Sequence, residues 1–281
     1  MDLRTLFDLE PHGPDTFVGA GPRYPWGGLY GGQIVAQALR AAAATVEDEL
    51  APHSLRAYFI RRGDHTEPVR YEVDRIRNGR SFATRRVVAR QAIGAILNCE
   101  ASFQRPETTA DITTVTMALG VPDPETLPRS SWSDSFDRRW VPAAALPADG
   151  RTGAGRVAAW LKVTDPLGED QLLQRCWLAY LSDDLPTDSV GHAVHLWDDA
   201  DSGDAGAAEG EGENRWEGVM SASLDHTIWF HREVRADEWH LYDFTCHGYV
   251  GARGLSIGHV FAGEGAHVAT VAQEVLLRQG R

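Results

Sequence analysis

Residues 53–63 read HSLRAYFIRRG and residues 78–105 read NGRSFATRRVVARQAIGAILNCEASFQR, and both stretches return later in the chain. The second copies are SLDHTIWFHRE at residues 223–233 and GARGLSIGHVFAGEGAHVATVAQEVLLR at residues 251–278. The aromatic pairs in the shorter stretches begin at positions 58 and 229, which are 171 residues apart. One repeat at this spacing indicates two tandem copies of a domain-sized unit rather than a solenoid of short repeats.

The composition of the chain is that of an ordinary soluble globular protein. Its 281 residues are 43% hydrophobic and 24% charged, which is enough for two modest domains. No run of 18 apolar residues occurs, so no membrane span is expected. The start of the chain, MDLRTLFDLEPHGPD, carries acids and has no apolar segment typical of a secretory signal.

Charge and cysteine usage limit the partners and the compartment. The net charge of −13 argues against nucleic-acid binding, although a local arginine cluster can still hold a phosphorylated ligand. Cys99, Cys176 and Cys246 are widely spaced and form no C-x-x-C, which favours reduced thiols in the cytoplasm.

Within each copy the pattern predicts a helix followed by an antiparallel meander. Gly31-Gly32-Gln33 opens an alanine-rich helix that runs to about Val46. Alternating apolar and polar residues then predict strands, with a hairpin turn at Asn78-Gly79. These strands are Ser54–Arg61, Val69–Arg77, Ser81–Arg90 and Ile93–Phe103.

The same pattern defines three regions. Residues 1–105 form the N-terminal unit, residues 106–150 are a linker without clear periodicity, and residues 151–281 form the C-terminal unit. The C-terminal unit is expected to begin with a strand at Arg156–Val163, followed by a helix ending near Asp184. Residues 198–214 are acidic and rich in Gly and Ala, so we expect a flexible surface loop there.

Several of these stretches resemble the acyl-CoA thioesterase II family. The resemblance rests on GGQIVAQAL, HSLRAYFIRRGD, RNGRSFATRRVVARQ, ASFQ, LSDD, LDHTIWFHR, ARG and VAQE, which are spread over most of the chain except the linker and the acidic loop. It implies an α+β double-hotdog fold, in which each unit wraps a bent antiparallel sheet around a long helix. It also implies hydrolysis of acyl-CoA to a carboxylic acid and coenzyme A, without a metal or other cofactor, by a cytoplasmic homodimer or higher homo-oligomer.

The resemblance further implies a site made of an aspartate, a hydroxyl residue and a glutamine that together hold the attacking water. The matching positions are Asp183, Ser223 and Gln273, with Asp184 as the neighbouring alternative for the carboxylate. The first copy has Glu100 where the second has Gln273, and no clear counterpart of Asp183. We therefore expect one catalytic centre per chain.

Two further sets of residues are candidates for contact with the substrate. The backbone N–H groups of Gly32 and Gln33, at the start of a helix, are candidate donors to an oxyanion. Arginine binds phosphate well, so the arginines in or near the stretches quoted above are candidates for contact with the coenzyme A phosphates. They are Arg61, Arg85, Arg86 and Arg253, with Arg62 and Arg80 nearby.

Motifs of other enzyme classes in the sequence lack the structural context that those classes require. Gly254–Gly258 matches G-x-S-x-G around Ser256, but it lies in an alternating strand pattern rather than a strand–turn–helix, which argues against a serine hydrolase. The histidines have no zinc-ligand spacing. A hotdog hydratase would need a histidine and an acid at the helix start, where this chain has Gln33. A non-catalytic acyl-CoA-binding protein remains the alternative from another class.

Overall fold

The computed structural model describes residues 3–146, 155–196 and 218–279. The predicted flexible loop at 198–214 lies outside the described residues. Three α-helices are present in the described part: α1 (Gly31–Ala43), α2 (Gln171–Leu181) and α3 (Pro186–Ala193). The strands, in chain order, are β1 (Glu10–Pro11), β2 (Thr16–Gly19), β3 (Ala51–Phe59), β4 (Val69–Asn78), β5 (Phe82–Gln91), β6 (Gly94–Gln104), β7 (Phe136–Trp140), β8 (Arg156–Val163), β9 (Val219–Ser223), β10 (Asp225–Phe230), β11 (His240–Val250), β12 (Arg253–Ala262) and β13 (His267–Gln279). Short 3-10 helices occupy Leu3–Phe7, Pro124–Thr126 and Ala143–Ala145.

The chain divides into two compact units that interleave along the sequence. Unit 1 consists of the chain up to Thr113 together with Leu167–Asp183 and Asp225–Ala236. Unit 2 consists of Thr114–Pro166, Asp184–Leu224 and the chain from Asp237 onward. Helix α2 and strand β10 belong to the second half of the sequence, yet they pack in unit 1.

Unit 1 is an antiparallel sheet with strands in the order β1-β2-β4-β5-β6-β3-β10. Helix α1 packs on this sheet, and α2 packs beside α1. The alternation that predicted the strands turns Val87 of β5 and Phe103 of β6 into the core. Helix α1, which contacts both strands, buries Val35 and Leu39. All four of these side chains are fully buried.

The strands of unit 2 are also antiparallel, in the order β13-β12-β11-β8-β7, with β9 paired to β13 as well. Helix α3 covers these strands and places Val190 against Val275 and Leu277. A further apolar cluster contains Trp160, Phe261 and the partly buried Met117. In β11–β13 the second copy of the meander therefore repeats the arrangement of β4–β6.

Most of the predicted elements are confirmed by the structure. Helix α1 begins at Gly31, and β3 to β6 and β8 occupy the predicted stretches within a few residues. The Asn78-Gly79 turn is present, and its Gly79 N–H donates to the Phe82 carbonyl at 2.9 Å.

The predicted end of helix α2 was wrong, and the description of residues 106–150 as a linker was incomplete. Helix α2 ends at Leu181 instead of continuing to Asp184, and its last turn is closed by the Ser182 hydroxyl, which donates to the Ala179 carbonyl at 2.9 Å. A separate helix, α3, then starts at Pro186, a residue that suits the first turn of a helix. The stretch interpreted as an unpatterned linker contains β7, which pairs with β8.

No α-helix within the described ranges combines the length and the apolar character required to cross a bilayer. Those ranges also contain no group of three or more His, Cys, Asp or Glu side chains placed to hold a metal ion.

His240 in β11 is expected to make unit 2 sensitive to acid. Its side chain is buried, its Nδ1 lies 2.9 Å from the Glu238 carbonyl oxygen, and burial lowers the pKa of this histidine below 6.5, against a smaller opposing effect of Glu264 and Asp237. As the pH falls, His240 takes up a proton in the unfolded chain before it does so in the folded protein. The stability that depends on a neutral His240 is therefore fully present above pH 6.5 and is lost as the pH falls towards the folded-state pKa.

The test is urea unfolding of the wild type and His240→Asn between pH 7.5 and 5. The Asn amide keeps a donor for the Glu238 carbonyl oxygen. Because this amide does not titrate between pH 7.5 and 5, we expect the variant to lose less free energy of unfolding on acidification. The difference cannot exceed about 1.4 kcal/mol per pH unit. Parallel pH profiles for the two proteins would show that His240 is not the responsible group.

Candidate active site

The carboxylate of Asp183 lies at the start of helix α1 within unit 1. Its Oδ2 accepts a hydrogen bond from the Gly32 N–H at 2.8 Å, and the residue is only 7% exposed. Tyr30 at the N-cap offers no side-chain cap, so Asp183 supplies an acceptor for one of the N–H groups that every helix start leaves unpaired. The positive end of the helix dipole stabilises the charged carboxylate there.

The two glycines at the start of α1 allow α2 to approach closely. A Cβ on Gly32 would lie 2.2 Å from the Tyr180 carbonyl oxygen, and one on Gly31 would lie 2.6 Å from Asp183 Oδ2. The Tyr30 hydroxyl donates to the same Tyr180 carbonyl at 2.9 Å. The glycine-rich turn seen in the sequence therefore sets the position of Asp183 relative to α1.

We expect Gly32→Ala to destabilise the protein by about 1–3 kcal/mol or more, because the new methyl group meets a backbone atom that cannot rotate away. The measurement is urea unfolding. Gly248→Ala is the matched control, since a Cβ there meets nothing within 4 Å. Equal midpoints for Gly32→Ala and the wild type would contradict the close approach.

The side chain of Gln33 is part of a buried polar network rather than a surface. Its Oε1 accepts from the Tyr24 hydroxyl at 2.6 Å, and its Nε2 donates to Gln37 Oε1 at 3.2 Å. Gln37 Oε1 also accepts from the Tyr71 hydroxyl at 2.7 Å, and burial raises the pKa of Tyr71 well above its ordinary value. These bonds hold the Gln33 side chain in the interior of unit 1, and its backbone N–H stays the candidate oxyanion donor.

Ser223 and Gln273 lie together in unit 2. Gln273 on β13 is fully buried, and its Nε2 donates to the Ser223 hydroxyl oxygen, at the end of β9, at 2.8 Å. The pairing of β9 with β13 brings them together, with Ser223 opposite Val275 in the register. Asp183 belongs to unit 1, so the structure joins two of the predicted residues within one unit and places the third in the other.

Asp184, the alternative to Asp183, has a structural role within unit 2. Its Oδ1 accepts from Trp132 Nε1 at 2.6 Å and its Oδ2 from Arg138 at 2.8 Å. Both partners of the ion pair are almost completely buried. Both oxygens of Asp184 are held by partners within unit 2, and we therefore favour Asp183 over Asp184 as the site carboxylate.

The four candidate arginines are in different environments. Arg85 is buried, and its guanidinium donates to Thr45 Oγ1, the Thr45 carbonyl and Asn78 Oδ1, among others. These contacts show that Arg85 ties α1 to the hairpin and is not presented to a ligand. Arg61, Arg86 and Arg253 are exposed, with Arg253 paired to Glu274 at 2.9 Å.

Ser256 is not presented as a nucleophile. It lies on β12, between antiparallel neighbours, and is fully buried, with its Oγ 2.7 Å from Ser189 Oγ on α3. A nucleophile elbow requires an exposed serine at a strand-to-helix turn. The interpretation of G-x-S-x-G as a strand segment is therefore confirmed.

Sequence reasoning missed one contact near Asp183. Ser182 Oγ lies 2.9 Å from His226 Nε2, and both residues are fully buried. The signal was present, since each is the neighbour of a motif aspartate, but their partnership depends on β10 packing in unit 1.

Comparison with known proteins gives a consistent result. The family model described as acyl-CoA thioesterase N-terminal domain matches residues 21–104, and the model described as acyl-CoA thioesterase C-terminal domain matches residues 110–277. The chain is 34% identical to acyl-coenzyme A thioesterase 8 of Mus musculus, covering 98% of this chain and 88% of that protein. It is 30% identical to acyl-CoA thioesterase 2 of Haemophilus influenzae, covering 99% and 97%.

Solved structures agree. An acyl-CoA thioesterase II from Mycobacterium marinum superposes with a TM-score of 0.83 at 34% identity, over 99% of this chain and 98% of that one. The architecture is an α+β double hotdog, as predicted. Because both family models match in order along most of the sequence, the chain belongs to the acyl-CoA thioesterase II family, a class of thioester hydrolases.

Proposed function

We propose that the protein hydrolyses acyl-CoA thioesters to a free carboxylic acid and coenzyme A. The observation that carries this is the ordered match of both acyl-CoA thioesterase domains over most of the chain. The residue types implied by the family are present at Asp183, Ser223 and Gln273, and the hydrogen bond from Gln273 to Ser223 supports the joint use of those two residues.

In the proposed reaction a water molecule attacks the thioester carbonyl carbon, and Asp183 accepts the proton that the water loses. Ser223 and Gln273 orient the water or polarise the carbonyl through the Gln273 amide. The tetrahedral intermediate then collapses by breaking the C–S bond, and the departing thiolate takes up the proton that Asp183 accepted, which restores the Asp183 carboxylate.

The oxyanion of the intermediate needs a donor. The Gly32 N–H is already donated to Asp183. We therefore assign the oxyanion to the Gln33 backbone N–H, at the same positive helix end. Arg61, Arg86 and Arg253 are the exposed arginines that we assign to the coenzyme A phosphates.

The first experiment is release of free coenzyme A thiol from a panel of acyl-CoAs with short to long chains. Turnover on at least one member supports the thioesterase, and the panel defines the acyl group that it accepts. Acyl-CoA binding without turnover on any member would instead support the non-catalytic binding protein. We also propose a cytoplasmic homo-oligomer, which light scattering and cell fractionation would test.

A further inference from the structure

We infer that Ser182 and His226 are positioning residues that fix the carboxylate of Asp183, an inference that rests on the catalytic role proposed for that residue. His226 is on β10 and Ser182 is the C-cap of α2, and the atoms that join them are 2.9 Å apart. Both side chains are fully buried, as expected for a contact that orders the interior rather than the surface.

The direction of this hydrogen bond follows from the bonds around it. The Ser182 hydroxyl has one proton, which it donates to the Ala179 carbonyl at 2.9 Å. Ser182 Oγ must therefore accept from His226, so Nε2 of the imidazole carries a proton. Removing that donor would leave a buried hydroxyl oxygen with one partner fewer.

Three hydrogen bonds hold the C-terminal end of α2 and the residues that follow it. The Tyr30 hydroxyl binds the Tyr180 carbonyl, His226 binds Ser182, and the Gly32 N–H binds Asp183. Because Asp183 directly follows Ser182, a shift of the Ser182 backbone moves the carboxylate with it. A displacement of about 1 Å from productive geometry can cost about 10²-fold in rate.

His226 itself is well fixed. Its backbone pairs with Ala57 of β3 in the antiparallel register of unit 1. The His226 imidazole therefore fixes the C-terminal end of α2 relative to β10 and the sheet of unit 1. It does so without being required to touch the substrate.

The test compares two replacements of the same histidine. In His226→Gln the amide nitrogen occupies the place of Nε2 and can still donate to Ser182. In His226→Asn the amide reaches only the place of Nδ1. We expect His226→Asn and Ser182→Ala to lower kcat by about 10- to 100-fold with KM changed less than about threefold, and His226→Gln to recover most of the lost kcat.

A double variant shows whether the effect passes through Asp183. If it does, Asp183→Asn with His226→Asn has the same kcat as Asp183→Asn alone. Multiplicative losses would overturn the inference, and so would equal losses in His226→Gln and His226→Asn. Losses that only track the folded fraction, measured by circular dichroism, would also overturn it.

An NMR readout separates failure of this inference from failure of the proposed function. The Gly32 amide resonance reports the hydrogen bond to Asp183 directly, whether or not the protein turns over substrate. It should shift in His226→Asn and return in His226→Gln. An active Asp183→Asn would reject the catalytic role of Asp183, whereas an unmoved Gly32 resonance would reject the positioning role.

Discussion

Asp183→Asn is expected to lower kcat on acyl-CoA by about 10²- to 10⁴-fold while leaving KM within a few-fold. The amide keeps an oxygen that can accept from Gly32, so the start of α1 stays capped, but it cannot take the proton from water. The measurement is steady-state coenzyme A release with the best acyl-CoA of the panel, beside unfolding curves that establish equal folding.

Asp184→Asn is the matched control, because it changes the adjacent residue in the same way. Its carboxylate is held by Arg138 and Trp132, so the loss should appear as about 3–5 kcal/mol of stability rather than in the kcat of the folded protein. A lower kcat for Asp184→Asn together with an active Asp183→Asn would transfer the base to Asp184.

Asp225→Asn adds a third comparison. Asp225 is half-buried and lies two residues along the chain from Ser223, so it is another carboxylate close in sequence to a predicted site residue. A kcat collapse confined to Asp225→Asn would contradict the assignment of Asp183 and place the proton acceptor on β10.

Gln273→Ala is expected to lower kcat by about 10²- to 10³-fold, the usual cost of removing one fixed donor from a site that stabilises developing charge. It deletes the Nε2 group that binds Ser223 and leaves a fully buried space on β13. A stability loss should accompany the kinetic effect, so the rate must be referred to the folded fraction.

Gln273→Glu separates the effect of losing the N–H donor to Ser223 from the effect of changing the size of the side chain. It keeps the size of the side chain and gives the second copy the residue that the first has at Glu100, but a carboxylate cannot donate to Ser223. We expect it to be nearly as slow as Gln273→Ala. Gln104→Ala, on β6, controls for loss of a strand glutamine, and comparable slowing by Gln104→Ala would argue against a specific role for Gln273.

Several meander strands were predictable because their side chains alternate between core and solvent. Val73 on β4 shows this, since it is buried between the less buried Glu72 and Asp74. Helix α3 was not predictable in this way. Its polar sequence around Asp188 and Ser189 masks a buried face, because those polar groups are enclosed by the sheet of unit 2.

The candidate site was only partly readable from the sequence. The resemblance supplied residue types, but not that Gly32 would donate to Asp183, because that bond joins positions 151 residues apart. Arg85 is the converse case, in which the sequence suggested contact with a ligand and the structure shows partners within the fold instead. A motif arginine has the right charge for phosphate, and only its partners around Thr45 reveal that it is used inside the fold.

The interleaving of the two units has a consequence for how the protein is made. Unit 1 needs α2 and β10, so its last segment, ending at Ala236, is synthesised long after its first. A ribosome-bound chain that stops after β6 would lack β10, one of the two strands that pair with β3, and the helix that packs beside α1. The first copy therefore cannot mature on its own during translation, and fragments cut between the copies should fold only when both are present.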